Sequence, residues 1–225
     1  MAYFTAENLQ QNFDSVQIDV SFECEQGTMT SIVGPSGSGK STVLRLISGL
    51  NQGSQNQRIT LDGKDITNLA PSKREIGMVF QSHSLFDHLK VEDNVAYGLV
   101  SAGMKKKEAR ALASEFLTQF ELEGFEKRYP ETLSGGEAQR VSLARTLIMK
   151  PKVVLFDEPL SALDAPLRKK LAALIKNLQQ KFGFTGIMVT HDINEAKAVS
   201  DRIILMKKGK IIWQGDAKDF NEKMI

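Results

Sequence analysis

Gly34-Pro35-Ser36-Gly37-Ser38-Gly39-Lys40-Ser41 has the spelling G-x-x-x-x-G-K-[ST], and its flanks decide the fold. Upstream, Thr28 to Val33 reads as a strand. Downstream, Lys40 to Leu50 places Val43, Leu44, Ile47 and Leu50 at helical spacing. A glycine-dense loop between strand and helix lets backbone N–H groups converge on phosphate oxygens with no Cβ in the way, and the helix aims its positive dipole end at the same point. Lys40 adds a mobile positive charge, and Ser41 and Thr42 open the helix. The Ser41 hydroxyl is a hard oxygen where Mg²⁺ bridging terminal phosphates needs a ligand.

Such a site needs a hydrophobic strand ending in an acid, and Val153-Val154-Leu155-Phe156-Asp157-Glu158 supplies it. Asp157 is the magnesium-side carboxylate. Glu158, one residue on, is placed to polarise a water for in-line attack on a γ-phosphate. The other reading of this pair is an acidic strand end before the turn at Pro159. His191 follows a strand predicted over Gly186 to Thr190, so three reactive segments trail strand C-termini, where open α/β sheets gather ligands. Taken alone, His191-Asp192 also reads as a helix start.

Outward from these segments the chain alternates. Val16 to Phe22 has period two and reads as a half-buried strand, giving an antiparallel opening. Arg58 to Leu61 and Ile76 to Phe80 are short strands, with Asp62-Gly63 as a turn. Between Val91 and Phe120 the period changes, and Ala109, Leu112, Ala113, Phe116, Leu117 and Phe120 mark one helical face. After Pro151 come the acidic strand, a helix from Pro166 to Phe182 and the strand before His191, a βαβ alternation that implies a parallel sheet. Arg202 to Met206 and Ile211 to Trp213 flank Lys208-Gly209 as a hairpin. The fold class is α/β: a P-loop NTPase core with a parallel sheet, an N-terminal antiparallel β subdomain and a helical subdomain insert.

Composition narrows the function. The 225 residues carry 29 Lys and Arg against 27 Asp and Glu, a net charge of +2, which leaves no electrostatic footprint for nucleic acid or anionic lipid. The single cysteine, Cys24, forms no intrachain disulfide and fits a reducing interior. The longest apolar run, Leu171 to Ile175, falls far short of the about 20 residues of a membrane span. The first residues lack the basic and apolar regions of a secretory leader. His83 and His88 are spaced by five, which matches neither a helical i,i+4 pair nor a zinc pattern. Lys105-Lys106-Lys107 reads as a solvated helix start.

Three further segments specify the type of phosphate-loop protein: Leu133-Ser134-Gly135-Gly136-Glu137 with Gln139-Arg140, Gln81 after its strand, and Ser161-Ala162-Leu163-Asp164 after the acidic pair. Ser134 and Glu137 also spell a helix capping box, S-x-x-E. In order, and across nearly the whole chain, these segments resemble the ATP-binding cassette (ABC) ATPases of membrane transporters. The resemblance implies one ABC ATPase domain over residues 1–225. Residues 1–81 and 151–225 would form the nucleotide-binding core with its antiparallel region, and about 82–150 the helical subdomain.

It also implies roles. ATP and Mg²⁺ are the expected cofactors. Lys40 and the backbone of Gly37 to Thr42 hold phosphates; Ser41, Gln81 and Asp157 serve Mg²⁺ directly or through water; Glu158 is the base; His191 contacts the γ-phosphate. Asp164 communicates across a dimer of ATPase subunits, and Ser134, Gly135 and Gly136 meet the γ-phosphate bound to the opposite subunit. Phe13, 21 residues before Gly34, is similar to the aromatic that stacks on adenine; an ordinary core or surface Phe is the other reading. Many relatives have Gln at position 137, and a carboxylate there adds repulsion toward a triphosphate, so slower turnover is expected.

The run from Gln81 to Leu99 is similar to importer ATPases served by solute-binding proteins, and residues 82–100 are the expected docking surface for integral membrane permease subunits. A peripheral place on the cytoplasmic face of the cell membrane follows from that partnership. Twelve residues follow Trp213, so a compact form without the C-terminal regulatory domain of sugar-import relatives is expected. Compact relatives serve thiamine, ferric iron, molybdate or sulfate, and Ile211 to Gly215 gives only a faint hint of the thiamine type. The rival readings are an efflux or lipid-release ATPase, a soluble non-transport ABC ATPase and another P-loop enzyme. Against the last stands the lack of an Asn-Lys-x-Asp guanine signature.

Overall fold

The computed structural model describes residues 2–12 and 17–221. Strands β1 (Phe4–Asn12) and β2 (Gln17–Cys24) lead to β3 (Met29–Val33), the glycine loop and helix α1 (Lys40–Ser48). Next come β4 (Arg58–Leu61), β5 (Lys64–Asp65), β6 (Ile76–Val79) and helices α2 (Val91–Ser101), α3 (Lys106–Leu117) and α4 (Gly135–Leu147). The order ends with β7 (Val153–Asp157), α5 (Ala165–Phe182), β8 (Thr185–Thr190), α6 (Ile193–Val199), β9 (Arg202–Lys207) and β10 (Lys210–Asp216).

The strands join one mixed sheet in the order β5-β4-β1-β2-β10-β9-β3-β8-β7-β6. β3 runs parallel to both neighbours, β9 and β8, and β8 is parallel to β7. Strands β3, β7 and β8 are buried along their whole lengths, as central parallel strands covered on both faces are, and they take the polar Thr30, Ser31, Thr185 and Thr190 into the interior with them. Ile32, Leu44, Ile47, Leu155 and Ile187 share the larger core cluster, and Val33, Ala196, Ile203 and Leu205 share a smaller one. β2 keeps the period two seen in its sequence, burying Ile18, Val20, Phe22 and Cys24 and exposing the residues between. It runs past Phe22 to Cys24, and Val16 lies outside the described residues.

The chain divides into two compact units. The first is Met1–Met78, Lys152–Glu158 and Ala172–Ile225; the second is Val79–Pro151 and Pro159–Leu171. In the first unit α1 stops earlier than its apolar spacing predicts. Gly49 takes a left-handed cap (φ 78), and the Arg74 guanidinium donates to Leu46 O (3.2 Å) and Ile47 O (2.8 Å), satisfying the last carbonyls. A Cβ on Gly49 would lie 2.6 Å from Arg74 Cζ. Leu50 falls beyond this cap and is 52% exposed instead of joining the core.

In the second unit α2 packs on α3 and α4, burying Val91, Val95, Ala109, Ala113, Leu117, Val141 and Ala144. The predicted helical face from Ala109 to Phe120 is corrected in two places: Leu112 is exposed, and the last turn, Thr118–Phe120, is a 3₁₀ turn. Arg110 ties α3 to α2 by a two-pronged pair with Asp93, Nε to Oδ1 at 2.8 Å and Nη2 to Oδ2 at 2.7 Å.

Candidate functional site

Glycine builds the loop after β3. Gly34 (φ 153) and Gly39 (φ 96) both have positive φ, and a Cβ would collide with Met206 O at the first and with Ile18 Cδ1 at the second. Conformation and space therefore demand the same residue. Behind the loop, the turn between β9 and β10 braces it: Gly209 N–H donates to Ser38 O at 3.1 Å while Gly209 O accepts from Asp19 N–H at 2.9 Å. Ser134 and Asp192 cap α4 and α6, whereas no side chain caps α2, α3 or, at this loop, α1. Its first-turn N–H groups are left for an anion held by the loop. Ser38 Oγ is also buried with no partner among the described residues. Pro35, Ser36 and Gly37 form the exposed crest, and Thr42 lies in the first turn of α1.

Lys40 is more confined than a mobile charge. Its side chain is buried, and Nζ donates to Gly34 O (2.9 Å) and Pro35 O (3.0 Å) across the base of the loop. Burial lowers its pKa, and the nearby carboxylates of Glu158 and Asp157 oppose that shift. The next residue makes the link to the acidic strand: Ser41 Oγ donates to Asp157 Oδ1 at 2.6 Å. Among the described residues no three His, Cys, Asp or Glu side chains gather as a metal cage. A serine hydroxyl beside one carboxylate, next to a phosphate cradle, suits Mg²⁺, which keeps most of its shell for phosphate and water.

Glu158 leaves β7 in the left-handed region (φ 46), an uncommon conformation for a residue with a side chain, and its N–H donates to Val189 O at 3.0 Å. Its Oε2 lies 3.3 Å from His191 Nδ1, just past the end of β8. Asp192 caps α6 by accepting from Asn194 N–H (2.8 Å) and Glu195 N–H (3.2 Å). The helix start read at His191-Asp192 is thus made by Asp192, while His191 stands beside Glu158. In the first unit, the loop, Lys40, Ser41, Asp157, Glu158 and His191 all gather at the C-terminal ends of β3, β7 and β8.

The remaining candidates lie in the second unit. Gln81 is exposed, and its Nε2 donates to Ser161 Oγ at 3.1 Å. Ser134 is the N-cap of α4 with a complete capping box: its N–H and hydroxyl both donate to Glu137 Oε2, at 2.7 and 2.8 Å, and its Oγ accepts from Glu137 N–H at 3.4 Å. Gly135 and Gly136 form the first turn, and a Cβ on Gly136 would meet Leu167 Cδ2 at 2.7 Å. Asp164 caps α5, its Oδ1 accepting from Leu167 N–H at 2.9 Å. Phe13 lies outside the described residues.

Two polar residues that sequence reasoning missed organise the segment after Gln81. Asn94, fully buried in α2, accepts from Phe86 N–H and donates to the carbonyls of Phe86 and Leu89. Arg145, in the last turn of α4, donates to the carbonyls of His83 and Ser84. No sequence signal marks them, since Asn94 follows Glu92 and Asp93, Arg145 precedes Thr146, and their partners are backbone groups.

Residues 18–161, more than half of the chain, match the family described as ABC transporter. The chain belongs to the ABC transporter family. It is 50% identical over 204 residues to the Fe(3+) ions import ATP-binding protein FbpC 1 of Rhizobium meliloti (strain 1021), across 91% of this chain and 58% of that protein. The chain thus spans about three fifths of the length of the curated ABC relatives it matches, 58% and 62% for two of them. Among solved structures it is similar to cbiO1 of Clostridium perfringens, part of the ABC transporter complex cbiONQ, with a TM-score of 0.86, 30% identity and coverage of 99% of this chain and 92% of that one. It is also similar to an ATP-binding cassette solved as a dimer in a post-hydrolysis state bound to ADP and Pi, with a TM-score of 0.82, 33% identity and coverage of 96% and 100%. The P-loop core and mixed sheet of this chain are those of an ABC cassette.

Proposed function

We propose that this chain binds and hydrolyses ATP as the cassette subunit of an ABC importer, paired with a second cassette and docked on integral membrane permease subunits. The observation that carries the reading is the joining of two pairs at one sheet edge, Ser41 with Asp157 at 2.6 Å and Glu158 with His191 at 3.3 Å. The glycine loop, the uncapped start of α1 and Lys40 bind the phosphates. Ser41 and Asp157, with Gln81, hold Mg²⁺, which when bound neutralises phosphate charge. Glu158 takes the proton of an attacking water, and His191 orients Glu158 and contacts the γ-phosphate.

Ser134, Gly135, Gly136 and Asp164 serve the nucleotide of the opposite cassette, so hydrolysis belongs to the pair. No helix among the described residues is long and apolar enough to cross a membrane, and the proposed permease subunits carry the membrane passage. Residues 82–100 are the docking surface, with Tyr97 and Val100 of α2 exposed there. A peripheral position at the cytoplasmic face of the membrane is part of the same proposal. The Fe(3+) import names of the curated relatives favour ferric ion as the solute, delivered by a solute-binding protein that the cassette does not touch.

The test is Glu158→Gln in the purified chain. Mg²⁺-dependent ATP hydrolysis is expected to fall about 100-fold or more while ATP binding persists. Hydrolysis at the wild-type rate overturns the reading.

A further inference from the structure

The backbone after Gln81 is held in a conformation it does not favour. His83 (φ 56) and Ser84 (φ 50) are consecutive left-handed residues, and neither is glycine. An L-residue enters this region against a clash of its Cβ, so two in succession persist only where surrounding contacts fix them. Within the turn, His83 N–H donates to Phe80 O at 3.3 Å and Ser84 N–H to Ser82 O at 2.5 Å.

The outside contact is Arg145. Its Nη1 donates to Ser84 O at 2.7 Å and its Nη2 to His83 O at 3.3 Å, and its guanidinium lies 5.4 Å from the Phe86 ring centroid. One planar fork therefore spans both strained carbonyls and rests near the next aromatic ring. Partial burial of the guanidinium lowers the Arg145 pKa. Gln81 itself is exposed, and its side chain bonds to Ser161 Oγ. The turn begins at the residue immediately after Gln81.

We propose that Arg145 is a positioning residue for Gln81: by gripping the carbonyls of His83 and Ser84 it sets the turn that aims Gln81 and fastens that turn to the helix beginning at Ser134. The proposal rests on the role given above to Gln81 at Mg²⁺. Because α4 carries Ser134 as its N-cap and Arg145 in its last turn, one rigid rod bears both the residues proposed to act on the opposite nucleotide and the clamp on the Gln81 turn. Displacement of the segment after Gln81 would pull on α4 through Arg145.

The experiment compares wild type, Arg145→Met, Arg145→Lys, Gln81→Ala and the Gln81→Ala/Arg145→Met double variant in the full chain. The readouts are the Mg²⁺ concentration for half-maximal ATP hydrolysis, ATP affinity without Mg²⁺, and Tm. Arg145→Met is expected to raise the Mg²⁺ requirement roughly 10-fold, a loss typical of hydrogen bonds to a charged group, with Mg²⁺-free ATP affinity within about twofold. Arg145→Lys should fall between, since an ammonium cannot span two carbonyls as the fork does. In the Gln81→Ala background the same change should add nothing, because its effect runs through Gln81.

A wild-type Mg²⁺ requirement in Arg145→Met overturns the proposal, and so does an equal shift in both backgrounds, which marks a purely structural role. If Arg145→Met does not fold, Arg145→Lys carries the same comparison. If Gln81→Ala alone leaves the Mg²⁺ requirement unchanged, the Gln81 assignment is what fails, and the positioning role falls with it.

Discussion

Ser41 Oγ donates to Asp157 Oδ1 at 2.6 Å, joining the first turn of α1 to the last residue of β7. Two segments separated by more than a hundred residues in sequence thus offer adjacent hard oxygens beside one phosphate cradle. Ser41→Ala should raise the Mg²⁺ concentration needed for half-maximal hydrolysis by about 10-fold or more, the usual scale for a lost bond to a charged group. Titration of activity with Mg²⁺ at fixed ATP measures it, and an unshifted midpoint removes Ser41 from the metal shell.

Lys40 is buried across the base of the loop, and its charge is what distinguishes it there. Lys40→Met keeps most of the apolar stem and deletes the ammonium. ATP and ADP should both bind about 10- to 100-fold more weakly, as expected for a charge-assisted contact. Adenosine, lacking phosphates, should bind equally to both proteins. Calorimetric titration with the three ligands separates a phosphate contact from general damage.

His191 faces Glu158 and not the loop carbonyls. His191→Ala should cut kcat by about 100-fold through lost orientation of Glu158, and should weaken ATP more than ADP through the lost γ-phosphate contact. Equal changes in ATP and ADP affinity contradict that contact, and an unchanged kcat contradicts the orienting role.

The Glu137 carboxylate already accepts from both Ser134 donors, which hold it below the usual carboxylate range. On the role proposed for Ser134, an arriving γ-phosphate would compete with that internal anion. Glu137→Gln keeps the capping box and removes the charge, a gain on the order of 1 kcal/mol for the arriving phosphate. In a Glu158→Gln background, ATP-driven pairing of cassettes should then occur at several-fold lower ATP. Identical ATP dependence in sedimentation would show that the charge is without effect.

The Arg110 guanidinium holds the Asp93 carboxyl below its ordinary value. The folded pKa is the lower one, so the stabilisation is complete above the unfolded value of about 3.9 and is lost as pH falls through the folded value. Asp93→Asn should therefore lower Tm at neutral pH and narrow its gap to wild type as the solution is acidified below that range. A constant gap across the titration contradicts this linkage.

Legibility in the sequence followed the reach of the signals. The phosphate loop, the acidic strand and the capping box at Ser134 are local, each set by residues within a few positions, and each stands where the spacing put it. β1 was invisible because Asn8 (φ 52) breaks its alternation: the register with β2 shifts between Ala6 and Leu9, so the buried residues do not keep a period of two. Leu50 and Leu112 misled because apolar spacing says nothing of where a cap from elsewhere ends a helix or which face finds a neighbour. Arg145 and Asn94 were missed because their partners are backbone carbonyls and amides, which no residue code displays.

The brace that Gly209 gives to Ser38 bears on how the molecule is made. Synthesis delivers the nucleotide loop early and its support late: about 170 residues separate them, on the order of 10 to 30 s at ordinary ribosome speeds. Until the hairpin of β9 and β10 emerges, a nascent chain carries the glycine loop without its rear wall, so the cradle proposed for nucleotide is complete only after that hairpin has been made.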